Sequence, residues 1–234
     1  MKKILILILA GALLLLCACG GRGNNVDSGY EPAAATPSPI PTAVPTPTPE
    51  PTPEPPDESL LPGTRDVNTY TNEYFGIGCR LDGAWTFYTQ AQIDELTQMA
   101  AQSLAGDEAS LELSQLGEDG FYCLVAESGS RNVNMTVQKL PEGADAASAA
   151  QEAASGLVDV LLSMGLNNLS VVSDETIFAG RKVPRLTATG AVGEVSFCAK
   201  IVVFEAYGRI AVVTASGQTA EEAQEILDAW YALE

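Results

Sequence analysis

Tyr74-Phe75-Gly76-Ile77-Gly78-Cys79-Arg80-Leu81 sets the reading of the domain. Side chains alternate across a strand with period two. Phe75, Ile77, Cys79 and Leu81 therefore share one face; Tyr74, Gly76, Gly78 and Arg80 share the other. Val67 to Thr71 precedes it as a second strand, with Asn72-Glu73 between them. Downstream, Asp82-Gly83 marks a turn and Ala84 to Tyr88 a short strand. Thr89 and Gln92 then have capping-box spacing. The helix after them presents Ile93, Leu96, Ala100 and Leu104, and Gly106 stops it.

The rest of the domain follows the same logic. Asp107 to Gly120 reads as an acidic loop without the Asp-x-Asp-x-Asp-Gly spacing of a calcium site. Phe121 to Glu127 and Asn132 to Leu140 read as a hairpin across Ser128-Gly129-Ser130. An alanine-rich helix runs from Asp145 to Met164, with Ala150, Ala153, Leu157, Leu161 and Met164 on one face and Gly165 at its end. Four strands follow, at Leu169 to Phe178, Lys182 to Thr189, Val195 to Ala206 and Arg209 to Ser216. Their turns fall at Gly180, Gly190 to Gly193 and Tyr207-Gly208. Thr219 and Glu222 form a second capping box, opening a last helix with Ala223, Ile226, Leu227, Trp230 and Leu233 at helical spacing. Strands joined by hairpins with helices laid over them give an α+β class with an antiparallel sheet.

Upstream lies a different kind of sequence. Lys2 and Lys3 precede an apolar run from Ile4 to Leu16, the layout of an export signal. The run is shorter than the roughly 20 residues of a membrane-spanning helix. Leu16 and Ala18 stand three and one positions before Cys19, with Gly20 after it, as in a bacterial lipobox. Cys17 follows bulky Leu16 and fits that pattern poorly. Cys19 is thus the expected lipidation site, and the membrane the expected partner through that anchor. An ordinary signal cut near Ala18 is the alternative. Twelve of the 14 prolines lie between Pro32 and Pro62. Alternating prolines remove backbone donors and fix φ, favouring extended polyproline II. At about 3.1 Å per residue, some forty residues reach on the order of 100 Å. The expected organisation is a signal at 1–18, a lipidated linker at 19–65 and a folded domain at 66–234.

Composition narrows the function. With 30 acids against 12 bases the net charge is −18, which repels nucleic acid. The chain has no histidine, which removes Ser-His-Asp and Cys-His nucleophile activation and the usual zinc sites. Cys79, Cys123 and Cys198 are far apart and form no Cys-x-x-Cys motif. They read as three buried thiols, with one disulfide among them left open. No metal and no cofactor is expected.

Tyr70-Thr71-Asn72-Glu73-Tyr74-Phe75-Gly76-Ile77, followed by Gly83-Ala84-Trp85, resembles the opening of PsbP-like domains, with Gly-Ala-Trp where Gly-Trp is commoner. The resemblance covers Asp66 to Glu234. It implies an α/β/α sandwich around an antiparallel sheet, in a superfamily of adaptors and assembly factors that supplies no catalytic residue to carry over. Two weak site candidates remain. Trp85 and Tyr88, with Phe87, form an aromatic patch that serves either a ligand or the core. Arg181 and Arg185 share a strand face and with Lys182, Lys200 and Arg209 make a basic cluster. That cluster either grips a carboxylate or phosphate or pairs with the domain's own acids. The leading expectation is a non-enzymatic binding or assembly module of the cell envelope, with a protein or envelope partner. A carboxylate-dependent hydrolase and a small-ligand or lipid carrier are the alternatives.

Overall fold

The computed structural model describes residues 55–95, 120–163 and 165–234. The signal, Cys19, most of the proline-rich linker, Leu96 to Gly106, the acidic stretch up to Asp119 and Met164 lie outside the described residues. In chain order the elements are a 3-10 turn (Glu58–Leu60), β1 (Thr64–Asp66), β2 (Thr69–Asn72), β3 (Ile77–Arg80), β4 (Thr86–Phe87) and α1 (90–95). They continue with β5 (Gly120–Ser128), β6 (Arg131–Lys139), α2 (Ala146–Ser163), β7 (Asn167–Phe178) and β8 (Arg181–Val192). Last come β9 (Val195–Ala206), β10 (Arg209–Gly217), α3 (Ala220–Asp228) and β11 (Trp230–Ala232).

The architecture is the α+β class with antiparallel pairing that the hairpin pattern predicts. Seven strands form the main sheet in the order β4-β5-β6-β10-β9-β8-β7, and four form a smaller one, β1-β2-β3-β11. The run from β7 to β10 is a meander that returns the chain to β6, so β10 pairs with β6 and β9 at once. Two of its hairpins need left-handed central residues. Ala179-Gly180 has φ 45 and 76, and Tyr207-Gly208 has φ 49 and 73. Such two-residue turns match the right-handed twist of the flanking strands. The third hairpin is tighter in sequence than expected: β8 continues through Gly190, and the connection is Gly193-Glu194.

Both capping boxes form. The Thr89 and Gln92 pair opens α1 through Gln92 N–H to Thr89 Oγ1 (3.3 Å) and Thr89 N–H to Gln92 Oε1 (2.9 Å). Thr219 and Glu222 do the same for α3. On α2, Ala149, Ala150, Ala153, Leu157 and Leu161 bury their side chains against Leu186, Ala188, Ile201, Val203, Ile210 and Val212 of the main sheet. Small side chains let the helix lie close to the strands. Leu166 N–H then donates to Leu161 O and Gly165 N–H to Leu162 O, a Schellman ending.

The opposite face of the main sheet is covered differently from the expectation of helices alone. There the smaller sheet, together with α3, packs Tyr70, Phe75, Ile77, Cys79, Ile226 and Trp230 against Leu124, Met135, Val202, Phe204 and Val213. The last helix stops at Asp228, and Trp230 pairs with Cys79 on β3. Trp230 and Leu233 therefore belong to no helix. The aromatic Trp230-Tyr231 pair suits a strand and gives β3 a second neighbour. Its helical spacing from Ile226 is coincidental. Gly78 permits this pairing, because a Cβ there would meet the Tyr231 ring at 2.5 Å.

The N-terminal edge also departs from the simple reading. Val67 is 82% exposed in a turn, and the first strand is Thr64–Asp66. Asn72 is a buried strand residue, not part of an exposed turn. Its Nδ2 donates to Leu61 O (2.8 Å) and Tyr70 Oη (2.9 Å), and its Oδ1 accepts from Phe75 N–H (3.1 Å). Because 73–76 is a turn, Tyr74 and Phe75 are both buried instead of facing opposite ways. The last residues assigned to the linker pack on the domain: Leu61 sits in the core and Glu58 pairs with Arg209.

Candidate functional site

The two sets of residues singled out from the sequence lie far apart. Trp85 and Tyr88 flank β4 at one margin of the main sheet, whereas Arg181 and Arg185 are on β8. Five inter-strand steps separate β4 from β8, about 24 Å at roughly 4.8 Å per step. They do not form one site.

Each candidate is also occupied locally. Trp85 is 8% exposed and belongs to the core, with the Arg131 guanidinium 5.3 Å from its ring centroid. Tyr88 is half-buried. Its backbone N–H donates to Val125 O (2.9 Å) and its carbonyl accepts from Arg65 Nη1. Arg181 Nη2 donates to Phe75 O at 2.7 Å, bracing the 73–76 turn. Arg185 grips Asp174 with two bonds, Nε to Oδ1 at 2.9 Å and Nη2 to Oδ2 at 2.6 Å. That fork holds the Asp174 carboxyl below its ordinary range, chiefly through the hydrogen bonds from Arg185. Lys182 pairs with Glu175 (2.7 Å), and Lys200 Nζ donates to Gln224 Oε1 (2.8 Å). The basic cluster is thus spent on the domain's own acids and amides and is not gathered for a bound anion.

The thiols carry no activated chemistry. Cys79, Cys123 and Cys198 are all free and buried. Burial pushes Cys79 and Cys123 each up to about 12, away from the thiolate that a nucleophile requires. Cys123 Sγ–H instead donates to Leu61 O (3.2 Å). A shallow groove of about 380 Å³ runs along α3 between Lys200, Glu221, Gln224, Glu225 and Asp228. Its three carboxylates are exposed on a helix surface. Among the described residues no group of three or more metal-ligating side chains converges, and no helix is long and apolar enough to cross a membrane.

A feature with more chemical content lies elsewhere, on β6 and β10. Val133, Met135 and Val137 point into the core beneath the smaller sheet. The alternate residues Asn134, Thr136 and Gln138 face the other way and are buried as well, as are Thr214 and Ser216 on β10. Thr214 pairs with Asn134, and Thr136 with Val212 and Tyr122, so these side chains share one patch. Thr136 Oγ1, Gln138 Nε2 and Thr214 Oγ1 have no hydrogen-bond partner. The signal was present in Asn132-x-Asn134-x-Thr136-x-Gln138, which has the alternation of a strand with one wet face. A strand was expected at Asn132 to Leu140 from its hairpin with Phe121 to Glu127, and no residue of its polar face was singled out.

With the geometry in view, comparison with known proteins adds a fold likeness. No family model matches the chain, and no curated protein matches it. Its fold is similar to that of cyanobacterial PsbP (CyanoP) from Synechocystis sp. PCC 6803. That solution structure aligns with TM-score 0.42 and 10% identity over 73% of this chain and 95% of that one. A second similarity is to the crystal structure of LpqN, involved in cell envelope biogenesis of Mycobacterium tuberculosis. It has TM-score 0.31 and 14% identity over 50% of this chain and 65%, less than two thirds, of that one. At these values neither likeness assigns a site or an activity.

Proposed function

We propose that the chain is a membrane-tethered, extracytoplasmic binding or assembly module without catalytic activity of its own. The observation that carries this reading is the placement of Leu16, Ala18 and Gly20 around Cys19, after a short positive and apolar leader and before a proline-rich stretch. Acyl chains on Cys19 hold the protein at the membrane surface, each buried CH₂ contributing about 0.8 kcal/mol, and two chains suffice for stable anchoring. The proline-rich spacer lifts the α+β domain off that surface toward a protein or envelope partner. The acidic balance of the chain directs the choice of partner away from nucleic acid. The partnered state of Arg181, Lys182 and Arg185 favours recognition through surface shape over capture of an anion.

The test is the intact mass of the chain made in a host that lipidates exported cysteines. The expected product begins at Cys19 and carries acyl mass, and the Cys19→Ser variant lacks that mass. A product still beginning at Met1, or one without acyl mass, overturns the anchored reading.

A further inference from the structure

The buried polar patch of β6 and β10 asks for an occupant. Thr136 is 1%, Gln138 3% and Thr214 1% exposed, and one polar atom of each has no partner. A buried polar group left unsatisfied costs about 1–3 kcal/mol, and such groups in native proteins are usually paired or reached by water or a ligand. Three at one place are difficult to explain as packing accidents. Their positions are close: Thr136 and Gln138 are two apart on one strand, and Thr214, opposite Asn134, is the diagonal neighbour of Thr136. Neighbouring members are therefore about 7 Å apart, within the span of one small molecule. Tyr122, the direct cross-strand partner of Thr136, borders the patch.

From this we infer that the face formed by Thr136, Gln138 and Thr214 binds a neutral, hydroxyl-bearing small molecule, with water as its resting occupant. The chemistry of the row selects that class. The Gln138 amide nitrogen only donates, whereas each threonine hydroxyl both donates and accepts, so the ligand must offer acceptors, and one that also offers donors engages the threonine oxygens fully. No carboxylate, ammonium or guanidinium belongs to the row, and an ion placed there would be buried without compensation. An apolar ligand would leave all three atoms as they are. Hydroxyl groups, in water or in a polyol or sugar, meet both conditions. This inference deepens the reading of the domain as a binding module. It stands or falls separately from the anchor, because neither observation depends on acylation of Cys19.

The experiment uses the full chain, with the side-chain amide of Gln138 observed by nitrogen-edited NMR and with glycerol, glucose and a disaccharide as probes. In the unliganded protein the Gln138 amide protons are expected to show cross-relaxation with bound water. At least one probe is expected to shift them saturably. Thr136→Val, which removes the hydroxyl at constant shape, loses that response, and Thr136→Ser retains it. Thermal midpoints provide the second arm. Thr136→Val and Thr214→Val each lower the midpoint by a few degrees if their hydroxyls are engaged. If both variants raise it, the row is dry and the proposal fails. A water signal that none of the probes perturbs also overturns it, since the patch then holds structural water alone. In either failure, acyl mass on Cys19 would leave the tethered-module reading intact.

Discussion

The face of the main sheet that carries α2 divides into two halves. Toward β8 and β9 it presents Leu186, Ala188, Ile201 and Val203 to the alanine and leucine face of the helix. Toward β6 it presents Asn134, Thr136 and Gln138, and β10 joins the two with Ile210 and Val212 on one side and Thr214 and Ser216 on the other. Burial is nearly complete in both halves, yet their chemistry is opposite. Burial of apolar surface stabilises at about 25 cal/mol per Å². Burial of polar groups stabilises only when each finds a partner. One half of the face therefore contributes to folding outright, whereas in the other the polar atoms of Thr136, Gln138 and Thr214 carry a desolvation cost that no bond among the described residues repays.

Substitutions that exaggerate or erase this contrast measure it. The largest effect is expected from Leu157→Ala, on the sheet-facing side of α2. It empties a fully buried site and should cost about 2–5 kcal/mol through lost transfer energy and a residual cavity. The measurement is a drop in the urea midpoint at unchanged slope. A loss well under 1 kcal/mol would mean that α2 is not part of the cooperative core. Val203→Thr places on the apolar half the kind of group that the polar half already holds. It keeps the shape, adds one buried hydroxyl and should cost about 1–3 kcal/mol. If it is neutral, a hydroxyl on this face is inexpensive wherever it lies. The unpartnered state of Thr136 and Thr214 would then need no occupant to explain it.

The same contrast explains what was legible beforehand. Periodicity reports which face of an element is apolar, so α2, the β7 to β10 meander and both capping boxes could be read directly. Periodicity does not report burial of a polar face, and so no residue on that face of β6 stood out. Nor does it separate a helix from a short strand that continues the same apolar spacing, which is why Trp230 was assigned to α3 instead of β11. Asn72 was taken for a turn residue because asparagine favours turns. Of its bonds to Leu61, Tyr70 and Phe75, the one to Leu61 depends on a chain segment, 57–63, whose prolines and acids read as linker. Arg181 and Arg185 were correctly placed along one strand. Their partners Phe75 and Asp174 come from other elements or the far side of a hairpin, and only the fold brings them together.

Asp174 and Arg185 supply a third kind of polar group, partnered and open to water, against which the buried row can be calibrated. The Asp174 side chain is 44% exposed, so solvent screens the pair and its worth is about 0–1 kcal/mol. The sign follows from the lowered carboxyl. A group ionised more readily in the folded than in the unfolded chain stabilises above the unfolded value, about 3.9 for aspartate. That stabilisation is lost as pH falls through the folded value. Asp174→Asn should therefore lower the urea midpoint slightly at neutral pH, and the difference from the parent should vanish in acid. A difference that persists at low pH would show that Asp174 acts by packing and not by charge. It would also remove the exposed pair as a reference for an engaged polar group. Replacing Thr136 or Thr214 by valine removes no titrating group, so its effect should not change over the same pH range. That flat response, set beside the sloping one of Asp174, separates a neutral hydrogen-bonding site from an ionic one.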